Sequence, residues 1–191
     1  MHTLQNDGLI RSSLSGKYSD EVIANYLDSR KKWSWLGYLI VPLLILLRTG
    51  LIAFLMQMAV FFINHEDKTP FNKFWGVALS AEWVTILLIA FRFVYFTVID
   101  TDYTLEELQN YIPGALTNVY DVSHLDNWLA YPFNLLNIWE LLYWVFLVSG
   151  IQEILKTSTV KSFGIVLASY GVGLLIWIGF VMYMLLTTID V

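Results

Sequence analysis

From Phe163 to Thr187 the chain runs without a single charged side chain, and three further long apolar stretches precede that run, at Trp33–Ile63, Phe74–Ile99 and Pro132–Leu155. A helix rises ~1.5 Å per residue and bilayer hydrocarbon is ~30 Å thick, so about 20 predominantly apolar residues are enough to cross it. The expected fold class is therefore an all-α integral membrane protein, a bundle of four to five transmembrane helices. A short amphipathic helix and a polar segment at 1–32 should precede the bundle of 33–191, and an interfacial acidic loop should occupy 100–131.

Composition supports this and excludes several function classes. Hydrophobic side chains make up 57% of the 191 residues and charged ones only 14%, against about 25% charged in soluble domains. The net charge is -5 and no long basic run occurs, so nucleic acid is not an expected partner; the bilayer is. Without cysteine there is no disulfide, thiolate nucleophile or sulfur-bound metal. His2, His65 and His124 are scattered through polar segments and form no zinc-like pair, and neither H-E-x-x-H nor G-x-S-x-G occurs. The chain is thus read as a non-enzyme, with no catalytic residue, metal or cofactor expected. The first thirty residues lack an apolar signal-peptide core, so the first apolar stretch should act as its own insertion signal.

Local signals punctuate the polar parts. Ser19 precedes Asp20 and Glu21 in the manner of a helix N-terminus, and Val22, Ile23, Tyr26 and Leu27 share one face of a helix ending at Arg30-Lys31-Lys32. In the acidic loop, Thr104-Leu-Glu-Glu107 matches a capping box, with the helix expected to stop near Pro113-Gly114. Tyr103, Tyr111, Tyr120, Trp128 and Tyr131 recur through this loop, as side chains seated at headgroup level do.

Topology turns on Arg48-Thr49-Gly50, in the middle of the 33–63 stretch. That stretch would rise about 46 Å as one helix, long for a single span but possible with tilt. Phe93–Leu155 has no Lys or Arg and eight acidic residues, whereas the basic residues outside the apolar stretches lie in Met1–Lys32, in Asn64–Lys73 and at Lys156 and Lys161. Basic loops stay cytoplasmic, which favours a hairpin at Gly50, five crossings and a cytoplasmic N-terminus. A single tilted helix would give four crossings and put the acidic loop on the side of the basic N-terminus.

Ionisable groups within spans are costly and usually meet a partner. Along their helices Arg92 lies about 27 Å from Lys73 and Glu140 about 22 Å from Leu155, and a hairpin would raise Arg48 to the same level. An Arg48–Glu140–Arg92 ion-pair cluster is expected, with snorkelling or a headgroup site as alternatives. Glu82, about 12 Å from the other end with no cation at its depth, is expected to hydrogen-bond Ser169 and Tyr170 as a neutral carboxyl joining two helices. Gly164/Ala168 and Ser169/Gly173, at four-residue spacing, are expected to let helices pack closely within the bundle, or to form a homodimer face.

Three stretches carry a family likeness: Thr69-Pro-Phe-Asn-Lys-Phe-Trp-Gly-Val-Ala-Leu-Ser80, Leu135-Leu-Asn-Ile-Trp-Glu-Leu-Leu-Tyr-Trp144, and Gly150-Ile-Gln-Glu-Ile-Leu-Lys156 through Lys161-Ser-Phe-Gly164. They resemble the Yip-domain family of small multispan membrane proteins, particularly its bacterial members. The resemblance implies five spans and a cytoplasmic N-terminus, and the expected role is that of a scaffold or accessory subunit in a bacterial-type inner membrane, with a membrane-protein partner or a homodimer. It supplies no catalytic residue. The rival reading is a small transporter using Glu82 and Arg92 for proton or anion handling.

Overall fold

The computed structural model describes residues 6–64, 68–119 and 126–189. His2, His65, His124 and Tyr120 lie outside the described residues. Among those described, helices follow in the order α1 (Asp7–Leu14), α2 (Asp20–Ile63), α3 (Phe71–Val94), α4 (Leu105–Asn110), α5 (Asn127–Leu135), α6 (Ile138–Leu155), α7 (Thr159–Val166) and α8 (Val172–Ile189). A π-helical turn at Tyr95–Ile99 extends α3, and another at Leu167–Gly171 joins α7 to α8. Four helical segments are long and apolar enough to cross a membrane: Asp20–Ile63, Phe71–Ile99, Ile138–Leu155 and Thr159–Thr187.

The expected hairpin at Gly50 is not there: α2 is one helix of 44 residues. Its polar triplet is a helix face rather than a turn. Thr49 is fully buried and accepts a hydrogen bond from Trp75 Nε1 at 3.1 Å, while Arg48 turns towards α3. Partners on α3 remove the need for the triplet to reach water, so nothing breaks the helix. The amphipathic segment 20–32 is likewise the first part of α2, not a separate helix. The third apolar stretch begins later than Pro132. Pro132 belongs to α5, the chain breaks at Leu136, and Asn137 starts α6 by accepting from the Glu140 amide at 2.8 Å.

The chain divides into two compact units, Met1–Leu46 with Ile89–Tyr111, and Leu47–Leu88 with Ile112–Val191. In the first, Ile10 of α1 packs with Ile23 and Leu27 of α2, and Asp7 meets Lys31 at 2.9 Å. The Lys31 hydrogen bond holds the Asp7 carboxyl below the usual carboxylate range. Leu9 of α1 packs on Phe96 and Leu108, beside Tyr95, Tyr103 and Tyr111. The Tyr95 and Tyr111 rings stack with centroids 4.7 Å apart. These tyrosines are thus seated on one another and on Phe96. The capping box forms as expected: the Thr104 amide donates to Glu107 Oε2 at 2.8 Å, and the Glu107 amide donates back to Thr104 Oγ1 at 3.2 Å.

The second unit holds the main core. Ile52, Ala53, Met56 and Val60 of α2 meet Phe74, Val77, Ala78, Ala81 and Val84 of α3, Tyr143, Leu147, Val148 and Ile151 of α6, and Ile165 and Val166 of α7. The α2, α3 and α6 sets recur at three- and four-residue spacing, one stripe per helix. Small residues set the close approaches: a Cβ at Gly150 of α6 would fall 2.5 Å from Val77 Cγ1, and one at Gly171 would fall 2.8 Å from Trp144 Cη2. Gly114 clamps the start of α6. Its φ of +74° lies in the left-handed region, and its carbonyl accepts from the Ile138 amide at 3.2 Å.

Candidate functional site

Four of the long apolar helical segments bring Arg48, Glu82, Glu140, Tyr143, Trp144 and Tyr170 close together in the second unit. With α2 unbroken, Arg48 stands beside Glu82 of α3, its Nη1 3.6 Å from Glu82 Oε1. The Glu82 side chain is only 8% exposed, and that of Arg48 is 46% exposed. The Tyr143 hydroxyl of α6 donates to the same Glu82 oxygen at 3.1 Å, and the Arg48 guanidinium lies 5.1 Å from the Tyr143 ring centroid. That is a cation–π distance. One turn away on α6, Glu140 Oε1 accepts from Trp144 Nε1 at 2.9 Å and from the Tyr170 hydroxyl at 2.8 Å. The result is two bonded groups side by side, Glu82 with Arg48 and Tyr143, and Glu140 with Trp144 and Tyr170, with the Tyr143 and Tyr170 ring centroids 5.4 Å apart.

Local structure explains why these side chains converge. Tyr143 and Trp144 follow Glu140 by three and four residues, so all three share one side of α6. Tyr170 sits in the π-helical turn Leu167–Gly171, where one extra residue re-aims the side chains of a helix. Ser169 Oγ donates to the Ile165 carbonyl at 2.7 Å, leaving Tyr170 as the hydroxyl that reaches the network. Glu140 lies in the first turn of α6, where the helix dipole favours negative charge.

Comparison with protein-family models, curated proteins and solved structures found no match.

Several expectations are corrected by this geometry. Glu82 does have a cation at its depth, Arg48, because an unbroken α2 places that residue mid-helix instead of at a hairpin tip. Its hydroxyl partner is Tyr143; Tyr170 bonds Glu140, and Ser169 is turned back onto its own helix. Arg48 pairs with Glu82, while Glu140 takes its hydrogen bonds from Trp144 and Tyr170. Arg92 belongs to the first unit and is no part of the network. Its Nη2 donates to the Leu108 carbonyl and to that of Gln109, the latter at 3.5 Å. These are end carbonyls of α4, which lack intrahelical donors and carry the negative end of the helix dipole, so a guanidinium suits them.

The small-residue expectation is also revised. Gly164 and Ala168 are exposed, and a Cβ at Gly164 would meet nothing within 4 Å. Only Ser169 is buried and Gly173 half-buried, with a Cβ at Gly173 falling 3.1 Å from Leu55 Cδ1. Sequence reasoning missed Tyr143 and Trp144. Their three- and four-residue offsets from Glu140 were the available signal.

Among the described residues no group of three or more His, Cys, Asp or Glu is placed to hold a metal ion. A cleft of about 220 Å³ opens elsewhere in the second unit, lined by Gln57, Met58, Val60, Phe61, Thr69 and Phe74, none of them in the network.

Proposed function

We propose that this chain is a non-enzymatic integral membrane protein acting as a scaffold or accessory subunit for another membrane protein. The supporting observation is that Arg48, Glu82 and Glu140 meet one another or the hydroxyl and indole donors Tyr143, Trp144 and Tyr170 across α2, α3, α6 and the turn at Tyr170. Such a network fixes four helices in register and leaves broad apolar outer faces, including Leu43, Leu44 and Leu47 of α2 and Leu175, Ile176 and Phe180 of α8, all exposed. Those faces suit lipid or a partner's helices. The Yip-domain likeness of 69–80, 135–144 and 150–164 belongs to this proposal as a resemblance of motifs. Four long helices depart from that family's usual five.

A cytoplasmic N-terminus in a bacterial-type inner membrane completes the reading. Arg30, Lys31 and Lys32 abut the first apolar stretch on one side, against Lys68 and Lys73 on the other, and basic residues flanking the first span usually orient a chain. Four crossings then put the acidic loop on the cytoplasmic side, which the rule tolerates because Asp and Glu contribute little to it. The transporter reading through Glu82 and Arg92 loses support, since the two share no partner: Glu82 meets Arg48 and Tyr143, and Arg92 meets α4 carbonyls. Isolation of the tagged chain in native-lipid particles, with mass analysis of its companions, tests the proposal. A stoichiometric membrane-protein companion is expected. Recovery with lipid alone overturns the accessory role, and recovery as a dimer of this chain assigns the outward Gly164/Ala168 edge to self-association instead.

A further inference from the structure

Where α2 gives way to α3, Gln57, Met58, Val60 and Phe61 of α2, Thr69 of the connecting segment and Phe74 of α3 line the cleft of about 220 Å³. Its side-chain wall is apolar save for the Gln57 carboxamide and the Thr69 hydroxyl. Among the described residues the half-buried Gln57 side chain makes no hydrogen bond, and a carboxamide within an apolar span is costly to leave unmatched. Its depth suggests the match. Gln57 lies ~9 Å along the helix from Ile63, the last residue of α2, and the polar zone on each side of bilayer hydrocarbon is ~5 to 8 Å thick. Hydrogen-bonding groups at that level belong to the glycerol esters of a lipid. Towards the polar side, Lys68 adjoins Thr69 and Lys73 adjoins Phe74; both lysines are exposed and in no ion pair among the described residues.

We propose that this cleft is a binding site for one glycerophospholipid. An acyl chain lies against Met58, Val60, Phe61 and Phe74, the Gln57 amide donates to an ester carbonyl, and the phosphate sits by Lys68 and Lys73. Size favours partial enclosure of this kind. Pockets that enclose a whole small ligand run ~300 to 1,000 Å³, so this smaller cleft takes part of a molecule whose remainder stays in the bilayer. Phe61, 48% exposed, leaves the cleft open on that side for the second chain. A phosphate is the complementary charge for the two lysines, as in the basic pockets between spans that hold lipid headgroups. Glu66 and Asp67, which lie outside the described residues, cancel those lysines in the net charge of 64–73. The lysines therefore select the phosphate common to all glycerophospholipids instead of a multiply anionic headgroup. A lipid-seating cleft presupposes the membrane reading above and adds a specific ligand to it.

Native mass spectrometry of the full chain in detergent, titrated with phosphatidylethanolamine, phosphatidylglycerol or diacylglycerol of the same acyl chains, tests this. The expected result is one phospholipid of either headgroup per chain, retained at collision energies that strip further lipids, with no comparable diacylglycerol adduct. Gln57→Leu keeps the volume and should weaken binding about two- to tenfold, the range for one hydrogen bond. Met58→Trp fills the cleft and should abolish it, while Leu175→Ala, on an exposed face of α8, should bind as the wild type does. Absence of a saturable adduct in the folded wild type, equal retention in Gln57→Leu and Met58→Trp, or equal binding of diacylglycerol overturns the proposal. A protein companion that Met58→Trp releases also overturns it, and gives the cleft to a partner's helix. Alkaline extraction of cell membranes separates the two readings: a chain that stays in the pellet yet binds no lipid fails this proposal alone, and a chain released into the supernatant fails both.

Discussion

Replacing Arg48 by Met removes the cation from a carboxylate that is almost fully enclosed, and the structure bounds what that costs. Two unit charges about 4 Å apart attract by about 4 kcal/mol at an effective dielectric near 20, which is an upper limit for the 3.6 Å contact of Arg48 with Glu82. The Arg48 side chain is 46% exposed, and measured polar couplings between membrane helices average only about 0.6 kcal/mol with a maximum near 1.7. A coupling of about 1 to 2 kcal/mol between the two residues is therefore expected. Arg48→Met alone should cost more, about 2 to 3 kcal/mol, since it also forfeits the cation–π contact with Tyr143 and leaves the Glu82 carboxylate without its cation. The assay is a double-mutant cycle with Arg48→Met and Glu82→Gln, read by reversible unfolding in mixed micelles through tryptophan fluorescence. If the two costs add to within about 0.5 kcal/mol, the pair contributes nothing and the account of Arg48 as the tie between α2 and α3 fails.

Three other outcomes follow. Single cysteines at Ser12 and Asn64 should label from opposite faces of the membrane, because one unbroken α2 lies between them; labelling from the same face would restore the hairpin. Gly150→Val should destabilise by about 1 to 3 kcal/mol through overpacking, since even its Cβ would fall 2.5 Å from Val77, whereas Gly164→Val, with open space around it, should be near neutral in the same unfolding measurement. In α4, the amide of Thr104, and then its hydroxyl, hold the Glu107 carboxyl below the usual carboxylate range. A carboxyl lowered on folding stabilises above its unfolded value, about 4.3, and that contribution is lost as pH falls through the folded one. The protection factors of α4 amides, exchange taken relative to the intrinsic rate at each pH, should therefore fall on acidification, and Thr104→Ala, which keeps the amide donor and loses the hydroxyl, should weaken that pH dependence; pH-independent protection in the wild type would refute the linkage.

Much was legible because apolar runs and caps are local. The four apolar stretches, the capping box at Thr104 and Glu107 and the amphipathic face of Ile23 and Leu27 all depend on neighbours within one or two helical turns. The positions of charges along their helices were legible too, yet their pairing was not. A charge count could not distinguish a hairpin at Gly50 from a continuous α2, and that choice slid Arg48 from one end of the bundle to its middle. Arg92 was misread for a related reason: its partners are backbone carbonyls of α4, and every residue has one, so no side-chain pattern announces them.

By itself, then, the sequence determined that this chain is helical and apolar enough to enter a bilayer, because hydrophobicity, periodicity and capping are properties of short segments. Only the tertiary structure decided that Arg48 pairs with Glu82, that Tyr170 serves Glu140 and that Gly150 and Gly171, instead of Gly164, bring helices together. Those outcomes depend on the rotation and axial offset of one helix against another. A single π-helical turn at Leu167–Gly171 or the absence of a break at Gly50 resets both, and the physical reason is that α-helices displaced by one residue turn ~100° and rise ~1.5 Å.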